Sequence, residues 1–157
     1  MRDQRVKGVS LLGETRADLG IKDCVFVPLD ALDSDHAVVD GDGLVALPGL
    51  VDLHTHLRQP GMEHAETVLT GSRAAALGGF TAIHAMANTQ PTTDSRDAVQ
   101  QVWEWGRRAG YADVRPVGAV TRGLRGEELA DIVAMAGSTA APRVFSDDGH
   151  CVHDSAL

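Results

Sequence analysis

From Pro48 onward, short apolar runs alternate with longer segments in which apolar residues recur every three or four positions. The short runs are typical of buried strands, and they include "LVALPGLVDLH", which spans Pro48, and then "FTAIHAMA", "ADVRPVGAV" and "APRVFSDDG". The periodic segments predict helices over residues 67–77, over "SRDAVQQVWEWGRRAG" and over "GEELADIVAMAG", each followed by or ending in glycine. This β-α-β-α-β-α-β alternation indicates parallel strands joined by crossover helices.

The first 47 residues follow a different pattern. Short apolar runs such as "VSLL", "CVFVPL" and "HAVVDGDGLVAL" are broken by turn residues, and no helical period persists. Asp42-Gly43 is a dipeptide typical of hairpin turns. We therefore predict a β-rich segment over residues 1–47 and an α/β segment over residues 48–157.

Composition narrows the class of protein. The chain has 157 residues and a formal charge of -8 without a Lys/Arg cluster, which argues against nucleic acid or an anionic membrane as a partner. Cys24 and Cys151 lie far apart, so a reduced, cytoplasmic chain is expected. The first 20 residues lack an apolar h-region with a small-residue cleavage site, and no apolar stretch of ~18 residues occurs, so a soluble chain is expected. The sequence also contains no GxSxG, Walker A or GxGxxG motif.

Two histidines end the first predicted strand of the α/β segment. Residues two apart in a strand point to the same side, so His54 and His56 can bind one metal ion together. Zinc favours histidine nitrogen and needs at least a third ligand. The alternative is two ordinary surface histidines at a strand exit, but the apolar strand before them and the Pro-Gly turn after them favour a metal.

Other polar side chains also follow predicted strand ends, where catalytic groups of parallel sheets lie. The Asp147-Asp148-Gly149 run could add a carboxylate to the histidines, although the run is also good turn chemistry. Arg58 could bind a substrate carboxylate, and Asn88 offers both a donor and an acceptor. Taken singly, Arg58 is better explained as a surface loop residue and Asn88 as a capping or turn residue.

Taken together, these segments resemble a known family. "PGLVDLHTHLRQPG" is similar to the signature of the amidohydrolase superfamily, and specifically of its class I dihydroorotases. "ETVLTGSRAAALGGFTAIHAMANTQP" and "FSDDG" extend the resemblance from about Val45 to Leu157. The family's HLREPG reads HLRQPG here, with Gln59, and its MPNT reads MANT, with Ala87.

The resemblance implies roles for individual residues. His54 and His56 match paired zinc ligands, Asp148 matches an aspartate that bridges two metals, and Arg58 and Asn88 match residues that bind the substrate carboxylate. Many relatives use a carboxylated lysine in place of the bridging aspartate. The implied cofactor is zinc, about one or two ions per full-length subunit. The implied reaction is the reversible cyclisation of N-carbamoyl-L-aspartate to L-dihydroorotate and water in pyrimidine biosynthesis.

The resemblance also implies a first half of a (β/α)₈ barrel over residues 48–157, with about four β/α units, preceded by part of a small β-sandwich over residues 1–47. Two further histidine ligands and the catalytic aspartate are expected beyond Leu157, so the chain is expected to be inactive by itself. A homodimer and an aspartate transcarbamoylase partner are compatible with the resemblance. Two alternatives remain: a hydantoinase, dihydropyrimidinase or allantoinase, and a non-catalytic dihydroorotase-like partner of aspartate transcarbamoylase.

Overall fold

The computed structural model describes residues 3–157, and the chain divides into two compact units. One unit ends at Pro48 and the other covers Gly49–Leu157. Both contain β-sheet, and the second also contains the α-helices, so the predicted mixed α/β class is confirmed. None of the described helices is long and apolar enough to cross a membrane.

Five strands form the sheet of the N-terminal unit: β1 (Gln4–Leu11), β2 (Thr15–Lys22), β3 (Val25–Val27), β4 (Ala37–Asp40) and β5 (Val45–Ala46). The strand order is β3-β2-β1-β4, and β5 also pairs with β1. β1 and β2 form an antiparallel pair, whereas β4 and β5 both run parallel to β1. A 3₁₀ turn covers Leu29–Ala31.

The Asp42-Gly43 dipeptide, typical of hairpin turns, forms a turn but not a hairpin. The Leu44 N–H donates to the Gly41 carbonyl at 3.0 Å, and Gly43 has φ +76°. However, the strands on either side pair with successive parts of β1 rather than with each other. The register of β1 against β2 shifts between Val6 and Val9, and the turn spans this irregular part of β1.

The second unit contains a three-stranded parallel sheet with the order β6-β7-β8. Its strands are β6 (Leu50–Thr55), β7 (Phe80–Ala85) and β8 (Asp113–Pro116), and its helices are α1 (Val68–Leu77), α2 (Arg96–Ala109) and α3 (Ile132–Ala136). Thr67 caps α1 in a capping box with Thr70, and Ser95 caps α2. Gly110 ends α2 in the left-handed conformation, as predicted.

The last two predicted elements are shorter than the sequence pattern indicates. The helix predicted over "GEELADIVAMAG" begins only at Ile132, because Asp131 caps it there and the preceding residues form a loop that starts with a 3₁₀ turn at Arg122–Leu124. The strand predicted over "APRVFSDDG" is reduced to one bridge between Gly118 and Phe145. Ala141 has φ +42° and Pro142 has no N–H to donate, so these two residues interrupt the start of the predicted strand.

The core of the second unit lies between the sheet and its helices. The first cluster of buried side chains comprises Leu57, Val68, Ile83, Ala85, Val102 and Val114. A second cluster comprises Val99, Ala130, Met135 and Ala140. Trp105 packs against the first cluster and Trp103 against the second, so both tryptophans of α2 pack within the fold.

Candidate metal centre

The carboxyl end of β6 presents the two histidines. His54 lies within β6 and His56 is the first residue after it, and their ring centroids are 5.2 Å apart. Thr55, between them, donates its hydroxyl to the His84 carbonyl of β7 at 2.8 Å. The strand end is thereby attached to the neighbouring strand, while the His54 side chain remains 55% exposed and the His56 side chain 29% exposed.

Asp148, in the loop after Phe145, lies close to both histidines. One carboxylate oxygen lies 3.2 Å from His54 Nε2, and the other lies 3.5 Å from His56 Nε2. Candidate ligand atoms of the three residues all lie within 4.8 Å of one another. Asp148 therefore lies close to His54 and His56, although it follows them by 92 or more positions in the sequence.

Asn88 joins this group through hydrogen bonds to two of its members. The His56 Nδ1 and the Asn88 Oδ1 are 3.0 Å apart, and Asn88 Nδ2 donates to Asp148 Oδ2 at 2.7 Å. An Nδ1–H donated to Asn88 leaves His56 Nε2 free as a ligand atom on the side of Asp148. Asn88 was predicted to bind substrate, and its contacts with His56 and Asp148 were not foreseen.

Arg58 lies two residues beyond His56, in a half-buried position with φ +59°. Its backbone carbonyl accepts from the Met62 N–H at 2.9 Å, so the unusual conformation belongs to a closed turn. Within residues 3–157, its guanidinium forms no hydrogen bond or ion pair. Arg58 is thus close to the histidine pair in sequence, but its side chain makes no polar contact with His54, His56 or Asp148.

The remaining histidines lie outside the group. His84 is half-buried in β7, with its Nδ1 3.3 Å from the Asp52 carbonyl, as in a hydrogen-bonded core residue. His36, His64, His150 and His153 lie on the described surface or in partly exposed positions. Among residues 3–157, the set of His54, His56 and Asp148 is the one group of three with metal-ligand spacing.

Sequence reasoning missed the part played by Asp147. It is 5% exposed, and its carboxylate accepts hydrogen bonds from the Val120 and Thr121 backbone and from the Thr121 hydroxyl. The available signal was the Asp-Asp doublet itself, which also fits an ordinary turn. The structure separates the doublet into a buried aspartate and one that faces the histidines.

The donor set is chemically suited to zinc. Two imidazole nitrogens and a carboxylate are ligands that zinc binds, and a catalytic site leaves a further position open. The 4.8 Å spread of the ligand atoms is compatible with their binding a common ion. The residues present therefore fit the metal that the family resemblance implies.

A family model described as "Dihydro-orotase-like" matches residues 43–157. A dihydroorotase from Leifsonia xyli subsp. xyli is 67% identical over 120 residues, which cover 76% of this chain and 27% of that protein. A dihydroorotase from Streptomyces coelicolor is 53% identical over 154 residues, which cover 97% of this chain and 36% of that protein.

Among solved structures, the L-hydantoinase (dihydropyrimidinase) of Arthrobacter aurescens is similar with a TM-score of 0.64 and 25% sequence identity. That match covers 79% of this chain and 29% of the hydantoinase chain. The chain spans about a third of the length of the curated relatives it matches. Because the family model matches well over half of its residues, the chain belongs to the dihydro-orotase-like family.

Proposed function

We propose that the chain provides part of the active site of a zinc-dependent dihydroorotase, which interconverts N-carbamoyl-L-aspartate and L-dihydroorotate plus water. The observation that supports this most strongly is the convergence of His54, His56 and Asp148 within the segment that matches the family model. Relatives named dihydroorotase, at 53% and 67% identity, support the same reaction.

When bound, zinc would lower the pKa of a water ligand and polarise the carbonyl of the cyclic amide. His54 and His56 would hold it through Nε2, and Asp148 would hold it through its carboxylate. Asn88 would keep the His56 ring oriented, because its carboxamide contacts Nδ1 rather than Nε2.

Arg58 is proposed to bind the substrate carboxylate. Its guanidinium is free of partners within the described chain and can donate two parallel hydrogen bonds. Asn88 is proposed to assist, because an amide nitrogen has two protons and only one is used in the bond to Asp148.

The barrel and sandwich assignments are also part of this proposal. We assign β6, β7 and β8 with their helices to the first units of a (β/α)₈ barrel and the N-terminal sheet to part of a β-sandwich; the parallel order β6-β7-β8 supports the first assignment. The family resemblance requires two further histidine ligands and a catalytic aspartate. Within residues 3–157, His54, His56 and Asp148 are the one group of three residues spaced to bind a metal ion. Because the further ligands and the catalytic aspartate are not among these residues, we expect no measurable dihydroorotase turnover from the chain by itself. A homodimer and an aspartate transcarbamoylase partner remain untested predictions.

A hydantoinase-type activity is the second candidate, favoured by the similarity to the A. aurescens enzyme. Two features of the chain favour dihydroorotase instead. Residues 49–157 contain no lysine, so no carboxylated lysine can replace Asp148 within this segment. Arg58 also has an evident use only if the substrate has a free carboxylate.

Substrate preference tests this choice. The product of the complete gene, whatever its length, is assayed with L-dihydroorotate, hydantoin and dihydrouracil. We expect dihydroorotate to be the preferred substrate. An Arg58→Met substitution should lower kcat/KM for dihydroorotate about 10- to 100-fold, because this factor corresponds to the free energy of a hydrogen bond to a charged group. An equal loss with hydantoin, or a preference for hydantoin, would reject the dihydroorotase assignment.

A further inference from the structure

Asp147 is the most thoroughly hydrogen-bonded carboxylate of the second unit. Its Oδ1 accepts from the Val120 N–H at 2.8 Å and from the Thr121 N–H at 3.0 Å. Its Oδ2 accepts from the Thr121 hydroxyl. Because a buried carboxylate is stable only when donors replace its water shell, these three bonds determine where Asp147 can lie.

Thr121 extends this connection. Its side chain is 0% exposed, and its hydroxyl oxygen accepts from the Gly126 N–H at 2.9 Å while its proton goes to Asp147. The residue therefore joins Asp147 to the loop that follows β8. A hydroxyl that donates and accepts in this way cannot be replaced by a methyl group without leaving buried polar groups unpaired.

Hydrogen bonds also hold the backbone on both sides of Asp147. The Ser146 N–H donates to the Gly118 carbonyl at 2.9 Å, and the Asp148 N–H donates to Ser146 Oγ at 3.1 Å. Asp148 is the next residue, so its Cα lies about 3.8 Å from that of Asp147. Any displacement of Asp147 would move Asp148 relative to the histidines.

We propose that Asp147 and Thr121 form a positioning pair that holds Asp148 in reach of His54 and His56. Both oxygens of Asp147 are used by the protein, so it acts on the metal centre through Asp148 and not as a ligand. The proposal rests on the metal site of the proposed function. It assigns to the Asp-Asp doublet two different tasks, anchorage by the first residue and ligation by the second.

The test compares four variants of the chain by zinc affinity, measured by competition with a chromophoric chelator, and by amide hydrogen exchange of residues 146–150 without metal. Asp147→Ala is expected to weaken zinc binding about 10- to 100-fold and Thr121→Val about tenfold, whereas Thr121→Ser stays within about twofold of the parent. Asp131→Ala is the control, because it removes a carboxylate bond to a backbone N–H at the start of α3 without touching the loop.

Both Asp147→Ala and Thr121→Val are expected to accelerate exchange at residues 146–150 and not in β7. Unchanged exchange there would overturn the proposal whether or not zinc binds. Faster exchange with unchanged zinc affinity would also overturn it, because the loop would then be irrelevant to the site. A third outcome is that the parent chain binds no zinc while exchange is faster in the variants. This outcome would reject the metal site of the proposed function, and with it the role of Asp147 and Thr121 in positioning Asp148 as a ligand.

Discussion

The two sides of the candidate metal centre are built in different ways. The histidine side is the end of β6, a strand at the edge of the parallel sheet, paired with β7 alone among the described strands and with two shifts of register. The aspartate side, residues 146–149, is a loop attached mainly by hydrogen bonds from single residues. His54 is 55% exposed, whereas Asp148 is 16% exposed.

This difference shows where the geometry of the site originates. On the histidine side, both imidazoles come from the last residues of β6 and the residue after it, and β7 supports this strand end through the Thr55 hydroxyl. On the aspartate side, a buried carboxylate and a close backbone contact take the place of a strand. Substitutions should therefore affect the histidine side through the stability of the sheet and the aspartate side through local order.

Truncation of the central strand should have the largest effect on stability. Ile83 of β7 is 2% exposed and belongs to the first core cluster, whereas Leu53 of β6 is 61% exposed. Ile83→Ala is expected to lower the free energy of unfolding by about 2–5 kcal/mol, and Leu53→Ala to change it by about 0.5 kcal/mol or less. Urea denaturation of both variants measures this, and equal losses would mean that β6 is as well packed as β7.

A methyl group at Gly118 should perturb the aspartate side next most strongly. A Cβ there would lie 2.7 Å from the Phe145 ring and 3.0 Å from the Met135 sulfur. Gly118→Ala is therefore expected to cost about 1–3 kcal/mol of stability and to disturb the bridge to Phe145.

Gly78→Ala is the matched control for Gly118, because a Cβ at Gly78 meets atoms no closer than 3.4 Å and the residue has φ -82°. The same denaturation measurement compares them. A Gly118→Ala variant as stable as the control would show that the 118–145 contact can be rearranged without cost.

Removal of the Asn88 carboxamide tests the connection between the two sides. Asn88 contacts both His56 and Asp148, so Asn88→Ala is expected to weaken zinc binding about tenfold, as loss of a ligand-orienting group does. Gln90→Ala, two residues later and exposed, should leave affinity unchanged. Chelator competition distinguishes the variants, and equal affinities would leave Asn88 with a substrate role alone.

Much of the strand and helix framework could be predicted from sequence because its signals are local. Glycine and threonine caps delimit α1 and Gly110 ends α2, and β6 and β7 are short apolar runs. The Gln59 departure from the family motif also has a local outcome, since its Oε1 accepts from the Val68 N–H at the start of α1 at 2.9 Å.

The aspartate side could not be predicted to the same extent, because its structure depends on contacts distant in sequence. The strand expected before Asp147 is reduced to a bridge by the backbone at Ala141 and Pro142. Which aspartate of the doublet is buried depends on donors at Val120 and Thr121, 26 or 27 residues earlier. No periodicity in the sequence signals such a bond.

Zinc binding by the chain and its ligand variants tests the central claim most directly. Chelator competition is performed with the parent, with His54→Ala, His56→Ala and Asp148→Ala, and with His150→Ala, which removes an exposed histidine two residues from Asp148. We predict that each of the three ligand variants weakens binding by about 100-fold or more, beyond the effect of an orienting residue, and that His150→Ala has no effect. Equal affinity of the parent and the Asp148→Ala variant would contradict the account.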